Sequence, residues 1–510
     1  MSTRTAAQPT ISAPIRAGWR GWAGLAVLML PALLVSVDNT VLSFALPQIA
    51  LELEPMSAQQ LWIVDAYPLV LAALLVTMGT LGDRFGRRRM LLIGATGFAV
   101  VSVLAAFSPT AELLIAARAG LGVFGAMLMP STLSLLRTVF PDRDQRRLAV
   151  AVWATAFSAG AALGPIVGGF LLEHFAWGSV FLMAVPVLIP LLVLAPILLP
   201  ESRDPNPGRI DLLSILLSLA TMVPVVYGIK ELAVSGVTAP VVLLFVLGAL
   251  FGVIFVRRQL RLPVPMLDMG LFRMPVFSGA LLVNLLSVIA LVGFLYFVAQ
   301  HLQLVVGLSP LEAGWALVPG LAAMIVAGLA VVPIARRVRP RILIPAALAF
   351  SVAGYVAIAV GAQSLTVVIA AFIVLGIGIG MAETVSNELI LTTAPPAKAG
   401  AASAVSETAY EVGAVLGTAI LGGIITALYR TNLVLPDGLP AAAADAARET
   451  LAGAIHSATE VGGRLGAELA TAASHAFDSG VVVTALIGAG LVVLAGVIAA
   501  ASLGGSRPRS

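Results

Sequence analysis

The chain is written as a succession of apolar runs about 20 residues long, joined by short polar segments. A run of that length matches a helix crossing the hydrocarbon of a bilayer, roughly 30 Å at about 1.5 Å per residue. Lipid offers no partner for backbone N–H and C=O groups, so each run must satisfy them internally, as a helix does. Sixty per cent of the 510 residues are apolar and 11% charged, which excludes a soluble globule. The expected class is an all-α polytopic membrane protein. Read in these units, the chain contains fourteen spans, near 22–47, 61–81, 90–107, 111–139, 148–172, 177–199, 211–230, 238–256, 276–302, 311–335, 341–361, 365–393, 400–429 and 479–503.

Cations orient the spans, because Lys and Arg in short loops stay on the cytoplasmic side. Arg4, Arg16 and Arg20 precede the first span, Arg84, Arg87, Arg88 and Arg89 follow the second, and Arg143, Arg146 and Arg147 follow the fourth. The alternation continues through Arg203 and Arg209, then Arg257, Arg258, Arg261 and Arg273, then Arg336, Arg337, Arg339 and Arg341, then Lys398, and ends at Arg507 and Arg509. Both termini are therefore expected in the cytoplasm, with the chain in a bacterial inner membrane. The pI near 9.7 reflects this topology and gives no reason to expect nucleic acid as a partner. The first run carries Asp38 and is too long for a cleaved signal, so it reads as a retained span. With no cysteine there is no thiolate metal site, and His174, His301, His456 and His475 show no metal-ligand spacing. No GxxxxGK[ST] loop is present, so ATP is not the expected energy source.

The chain also repeats itself. Adding 253 aligns Thr155, Ala156, Gly160, Ala161, Leu163 and Gly164 with the identical residues Thr408, Ala409, Gly413, Ala414, Leu416 and Gly417. At nearly the same shift, Gly79 to Leu91 finds a worn counterpart in Val332 to Leu343. Two parallel six-helix halves follow, with a binding cavity between them near the midplane. The expected division is a tail at 1–21, a first bundle at 22–199, two inserted helices and a linker at 200–275, a second bundle at 276–503, and a tail at 504–510. Within the second bundle, 430–478 is Ala-rich and carries charges on both sides of Gly462 and Gly463. It reads as an extracellular helical hairpin.

The loop between the second and third spans carries Gly79, Gly82, Asp83, Arg84, Gly86, Arg87 and Arg88 in the pattern GxLxDRxGRR. The glycines permit a tight turn against helix ends, and Asp83 can accept from arginines or a helix N-terminus, so the cluster can latch one state. This motif resembles the loop motif of the major facilitator superfamily. Asp38, Asn39, Thr40, Ala45, Leu46 and Pro47 are similar to the first-span motif of its fourteen-helix drug:proton antiporter branch. Arg118, Gly122, Gly125 and Ala126 resemble the family's arginine motif, with Leu121 where a glutamine is common, and Gly160, Gly164, Pro165, Gly168 and Gly169 resemble its antiporter motif. Trp177, Phe181 and Pro186 fit its sixth span. Ser406 to Glu411 looks like the acidic segment of quaternary-ammonium and fluoroquinolone exporters, in particular actinobacterial ones. The resemblance implies a major facilitator fold with 14 transmembrane helices, no cofactor beyond the proton gradient, and no enzymatic activity.

Ionisable groups at lipid depth are costly and are kept mainly for binding or proton relay. A carboxylate that can hold either a proton or an organic cation, but not both, makes exchange of the two obligatory. Asp38, Glu407 and Glu411 are the leading acids. Asp38 and Arg118 both fall in the outer halves of their spans, where they can pair, so Arg118 is expected to tune Asp38. Glu407 and Glu411 lie roughly 10 and 16 Å above the cytoplasmic end of their span at about 1.5 Å per residue. That places Glu411 near the midplane against the substrate and Glu407 nearer the entrance. Glu383 and Glu388 are rotated roughly 140° from one another on a helix, so at most one squarely faces the cavity. Asn39, Asp65 beside Trp62 and Tyr67, and the aromatics Phe157 and Tyr410 complete the expected binding set; Phe157, Tyr410 and Trp315 can each stack on a flat cation, although for any one ring alone packing against lipid or core is the commoner role. Gly164 and Pro165 are expected to bring helices close enough to seal against proton leak.

These residues support a proton-coupled multidrug antiporter for lipophilic organic cations, working as a monomer among membrane lipids. A proton-linked exporter of one metabolite or antibiotic, on the same fold, is the alternative, and a non-transporting sensor or lipid-handling scaffold is a third reading.

Overall fold

The computed structural model describes residues 16–203, 211–263, 265–395 and 399–504. Arg4, Arg209, Lys398, Arg507 and Arg509, together with the side chains of Arg143, Arg147 and Phe157, lie outside the described residues. The first group of helices is α1 (Trp19–Leu53), α2 (Ser57–Phe85), α3 (Arg87–Ala106), α4 (Ala111–Val139), α5 (Arg143–His174), and α6 (Ser179–Leu182) continued by α7 (Ala184–Leu198). Then come α8 (Leu212–Ser235) and α9 (Ala239–Arg261). The second group is α10 (Pro275–Gln300), α11 (Pro310–Ala335), α12 (Pro340–Gly361), α13 (Leu365–Thr393), α14 (Ala399–Gly417), α15 (Gly423–Asn432), α16 (Ala441–Glu449), α17 (Leu451–Val461) and α18 (Gly463–Ser502). A π-helical turn over Thr418–Gly422 joins α14 to α15 as one run. No strand occurs among the described residues.

Thirteen of these stretches are long and apolar enough to cross a membrane. The span expected at 148–172 lies within α5, a helix of 32 residues. Helix starts follow local chemistry. Thr110 accepts from Leu113 N–H at the start of α4, and Asp142 accepts from Gln145 N–H at the start of α5. Ser309 and Glu312 form a reciprocal capping box ahead of Pro310 on α11.

The repeat is visible in the packing. α5 lies along α1, and α14 lies along α10. A Cβ added at Gly160 would come within 2.8 Å of the Leu33 carbonyl on α1, and one at Gly413 within 3.2 Å of the Leu285 carbonyl on α10. A Cβ at Gly164 would collide with Thr40, and one at Gly168 with Val41. Gly169 instead faces α11, where a Cβ would meet the Leu311 Cα at 2.6 Å, and Gly314 of α11 sits on the Pro165 carbonyl. α5 therefore touches both groups of helices through one row of glycines, as small residues allow close approach in lipid. α14 crosses to α2 in the reciprocal contact. The inserted helices α8 and α9 pack on each other, and α8 leans on α2 and α15.

The segment 430–478 differs in detail from the expected hairpin. α16 and α17 are broken at Thr450, whose side chain caps α17 by accepting from Gly453 N–H. After Gly462 and Gly463, both at positive φ, no proline interrupts the sequence up to Ser502. α18 accordingly runs unbroken for 40 residues, so the helix that carries the span expected at 479–503 begins well before it. The α16–α17 end, termed the hairpin end, is tied to the first group of helices. Ser57 N–H, in the first turn of α2, donates to Glu449 Oε2 at 3.1 Å, and the Ser57 hydroxyl donates to the Glu449 carbonyl at 2.6 Å. Arg430 lies 3.7 Å from the same carboxylate. At this end Gln303 also donates to the Phe44 carbonyl, at 3.2 Å.

Two outcomes check this packing. Gly164→Ala should cost about 1–3 kcal/mol through overpacking against Thr40, read as a lower melting temperature of the detergent-purified protein; an unchanged temperature contradicts the close α1–α5 contact. Glu449→Ala should raise hydrogen exchange in α16 and in the first turn of α2, while exchange in α12 and α13 stays unchanged.

Candidate functional site

Arg118 on α4 is drawn fully into the protein, 1% exposed, and Asp38 on α1 is 4% exposed. Their ion pair measures 2.7 Å, from Arg118 Nη1 to Asp38 Oδ2. Arg118 Nε also donates to the Ile63 carbonyl of α2 at 3.1 Å, and the guanidinium lies 4.7 Å from the centre of the Tyr67 ring. Three helices thus converge on one charge. Removing one member of a pair this deep leaves an uncompensated ion, so the pair acts as a unit. Tyr67, expected to face substrate, is instead wholly buried beneath the guanidinium.

A second buried pair was not anticipated. Asp65 on α2 is 0% exposed and Lys230 on α8 is 1% exposed, with Nζ 2.9 Å from Asp65 Oδ2. The ammonium also lies 3.8 Å from the centre of the Trp62 ring. The signal for Lys230 was present in the sequence. It is one of two lysines in the chain, and it sits at the end of a span opposite the arginine-bearing one, against the cation alternation that orders the other loops.

Between the two groups of helices lies a cavity of about 60 Å³, lined by Asn39, Asp65, Arg118, Leu321, Met324 and Tyr410 among others. Drug-sized pockets are roughly 300–1,000 Å³, so the cavity is shut around its polar groups in this conformation. Asn39, Asp65 and Tyr410 join it as expected. Glu411 is buried, 6% exposed, and lies within electrostatic reach of Glu407 and Asp38. Neither Glu407 nor Glu411 lines the closed cavity. On α13, Glu383 is shielded while Glu388 is exposed, as their rotation around the helix requires. Glu388 therefore stands apart from the buried acids, and Trp315, 56% exposed, points away from the cavity. Trp62 packs on Lys230, outside the cavity lining.

The Gly79–Arg88 segment, the end of α2 and the start of α3 joined at Gly86, forms a compact cluster. Asp83 accepts from Arg87, with an ion-pair distance of 2.6 Å. Arg88 donates to the Leu199 carbonyl at 2.9 Å, and its guanidinium lies 3.8 Å from Glu201. Arg84 stacks on Phe85 at 5.8 Å. Gly86, at φ +112°, is required twice: by its backbone, and because a Cβ there would meet the Glu201 carboxylate at 2.6 Å. Glu201 is the member that sequence reasoning missed, although it is the first acid after the apolar run at 184–200. Of the histidines, His301 is buried, bridging Asp478 at 3.1 Å and the Ala362 carbonyl at 2.8 Å. No group of His, Asp and Glu suited to a metal ion occurs among the described residues.

The chain and its fold have counterparts among known proteins. Residues 28–418 match the model of the Major Facilitator Superfamily. The chain is 56% identical to the multidrug efflux pump LfrA of Mycolicibacterium smegmatis, over 94% of this chain and 95% of that one. It is 35% identical to the methyl viologen resistance protein SmvA of Salmonella typhimurium, over 90% and 93% of the two chains. It is 32% identical to the tetracenomycin C resistance and export protein of Streptomyces glaucescens, over 91% and 87%. The inward-facing, unoccupied crystal structure of a bacterial homolog of the human lysosomal transporter Spinster superposes with a TM-score of 0.67 at 18% identity, covering 94% of this chain and 98% of that one. With a family model spanning most of its length, the chain belongs to the Major Facilitator Superfamily, as a multi-pass membrane transporter and not an enzyme.

Proposed function

We propose that the protein is a proton-coupled multidrug exporter of lipophilic organic cations, a fourteen-span antiporter of a bacterial inner membrane with both termini in the cytoplasm, acting as a monomer. The observation that carries this reading is the set of acids gathered at or behind a closed central cavity, in a chain 56% identical to a multidrug efflux pump over nearly its whole length. The hairpin end is then the outer face. The two six-helix groups rock about the cavity, opening it alternately to each side. Asp38 and Glu411, both buried, carry the exchange, with Glu407 nearer the cytoplasmic entrance. Each holds a proton or a substrate cation, so that entry of one expels the other. Arg118 offers Asp38 a fixed alternative partner and tunes that competition. The Gly79–Arg88 segment with Glu201 latches the cytoplasmic side, and the α1–α5–α11 glycine contacts hold the proton seal. The gradient supplies the energy without a cofactor.

Proteoliposomes with an imposed pH gradient test the reading directly. Ethidium and a quaternary ammonium compound should both move against protons, and flux of a single neutral metabolite with neither cation would overturn it. In the same assay Glu411→Gln should lower proton-driven cation flux at least tenfold while the protein still accumulates in the membrane, the size expected for losing a buried charge contact of about 1.4 kcal/mol or more. Arg118→Lys keeps the charge but loses the planar fork that reaches both Asp38 and the Ile63 carbonyl. It should slow exchange at least fivefold, and a rate equal to that of the parent protein would remove Arg118 from the coupling.

A further inference from the structure

We propose that Lys230 is a built-in cation occupying a site formed by Asp65 and Trp62, and that it sets the charge this wall of the cavity presents, selecting singly over doubly charged substrates. The inference rests on the cation-export reading above and names a specificity residue within it.

The geometry is that of a recognition site already filled. A carboxylate beside an aromatic face is the arrangement that binds an alkylammonium ligand. Here the ligand is the protein's own ammonium, 2.9 Å from Asp65 Oδ2 and 3.8 Å from the centre of the Trp62 ring. Tyr227, three residues earlier on α8, lies 6.1 Å from Trp62 between ring centres. Asp65 has two neighbourhoods, since it holds Lys230 and also lines the central cavity. A substrate cation in that cavity therefore meets Asp65 only as half of a neutral pair.

The pair is not needed to dock the inserted helix. Val226 of α8 is buried with Leu69 of α2 and with Val415 and Ala419 of the α14 run, and Met222 and Ile229 pack against them. That apolar contact anchors α8 at less cost than two desolvated charges, which in a buried site often contribute nothing net to stability. The remaining consequence of the pair is electrostatic. One unit of charge added to or removed from the cavity wall acts twice as strongly on a dication as on a monocation.

The test is the ratio of transport efficiency, kcat/KM, for a bis-quaternary dication, methyl viologen, to that for a monocation, ethidium. Removing the built-in cation with Lys230→Met should raise the ratio about tenfold, and Asp65→Asn, which leaves Lys230 unopposed, should lower it by about as much, as expected for a unit charge near 10 Å at an effective dielectric near 20. The doubly neutral Asp65→Asn/Lys230→Met variant should return the ratio to that of the parent protein. A ratio that neither single substitution moves, or a double variant shifted as far as a single one, would overturn the proposal. A second readout needs no variant. Lys230 and Lys398 are the only lysines, so acylation by a membrane-permeant amine reagent can be followed at each. Saturating methyl viologen should compete for Asp65 and raise acylation at Lys230 at least threefold without changing Lys398; equal acylation at Lys230 with and without the dication overturns the proposal even where a single variant fails to insert. If the parent moves neither cation, the export reading itself has failed; if it moves both and the ratio and acylation stay fixed, only the role of Lys230 has.

Discussion

A charge placed at lipid depth must be answered inside the protein, and this requirement organises the centre of the molecule. Arg118, on α4, meets it by reaching two further helices at once, binding Asp38 on α1 and both the Ile63 carbonyl and the face of Tyr67 on α2. Asp65 meets it by drawing in Lys230 from α8. Each pair costs desolvation that its Coulomb attraction only partly returns. Their presence therefore says more about what the cavity must do than about how the bundle is held together.

The bundle is held by close approach. Gly160, Gly164 and Gly168 present bare backbone to α1, and Gly169 does the same for α11. In lipid, where apolar side chains gain little by leaving their surroundings, such contacts supply the packing energy that a hydrophobic core supplies in water. Gly413 and Gly417 repeat the arrangement on α10. The two copies differ in what they add. The first keeps Pro165, whose carbonyl is covered by Gly314, while the second carries Glu407 and the buried Glu411. Both helices thus contact the opposite group, α5 on α11 and α14 on α2, and the second copy also carries the acids.

Much of the architecture was legible in the sequence because lipid permits so few backbone solutions. The apolar runs, the cation alternation and the shift of 253 lead to the helices and to their pairing. Asp38 and Arg118 were legible as partners because both sit in the halves of their spans away from the arginine-rich connections. Glu388 was harder. Helical rotation separated it from Glu383, but only the packing of α13 decided which of the two is shielded and which exposed. Tyr67 and Trp62 read as substrate-facing aromatics, whereas each is taken up by a cation of the protein itself.

Composition, span length and local motif therefore determined the class of fold and the residue types at the cavity, since these depend on each helix meeting the bilayer by itself. Tertiary structure alone decided which charges meet. Lys230 and Asp65 are 165 positions apart in the chain, Glu449 reaches back to Ser57, and Arg88 finds Glu201 across the end of α7. Each of these contacts depends on how whole helices pack side by side, and that packing is set by shape complementarity between distant segments, which no local pattern of residues encodes.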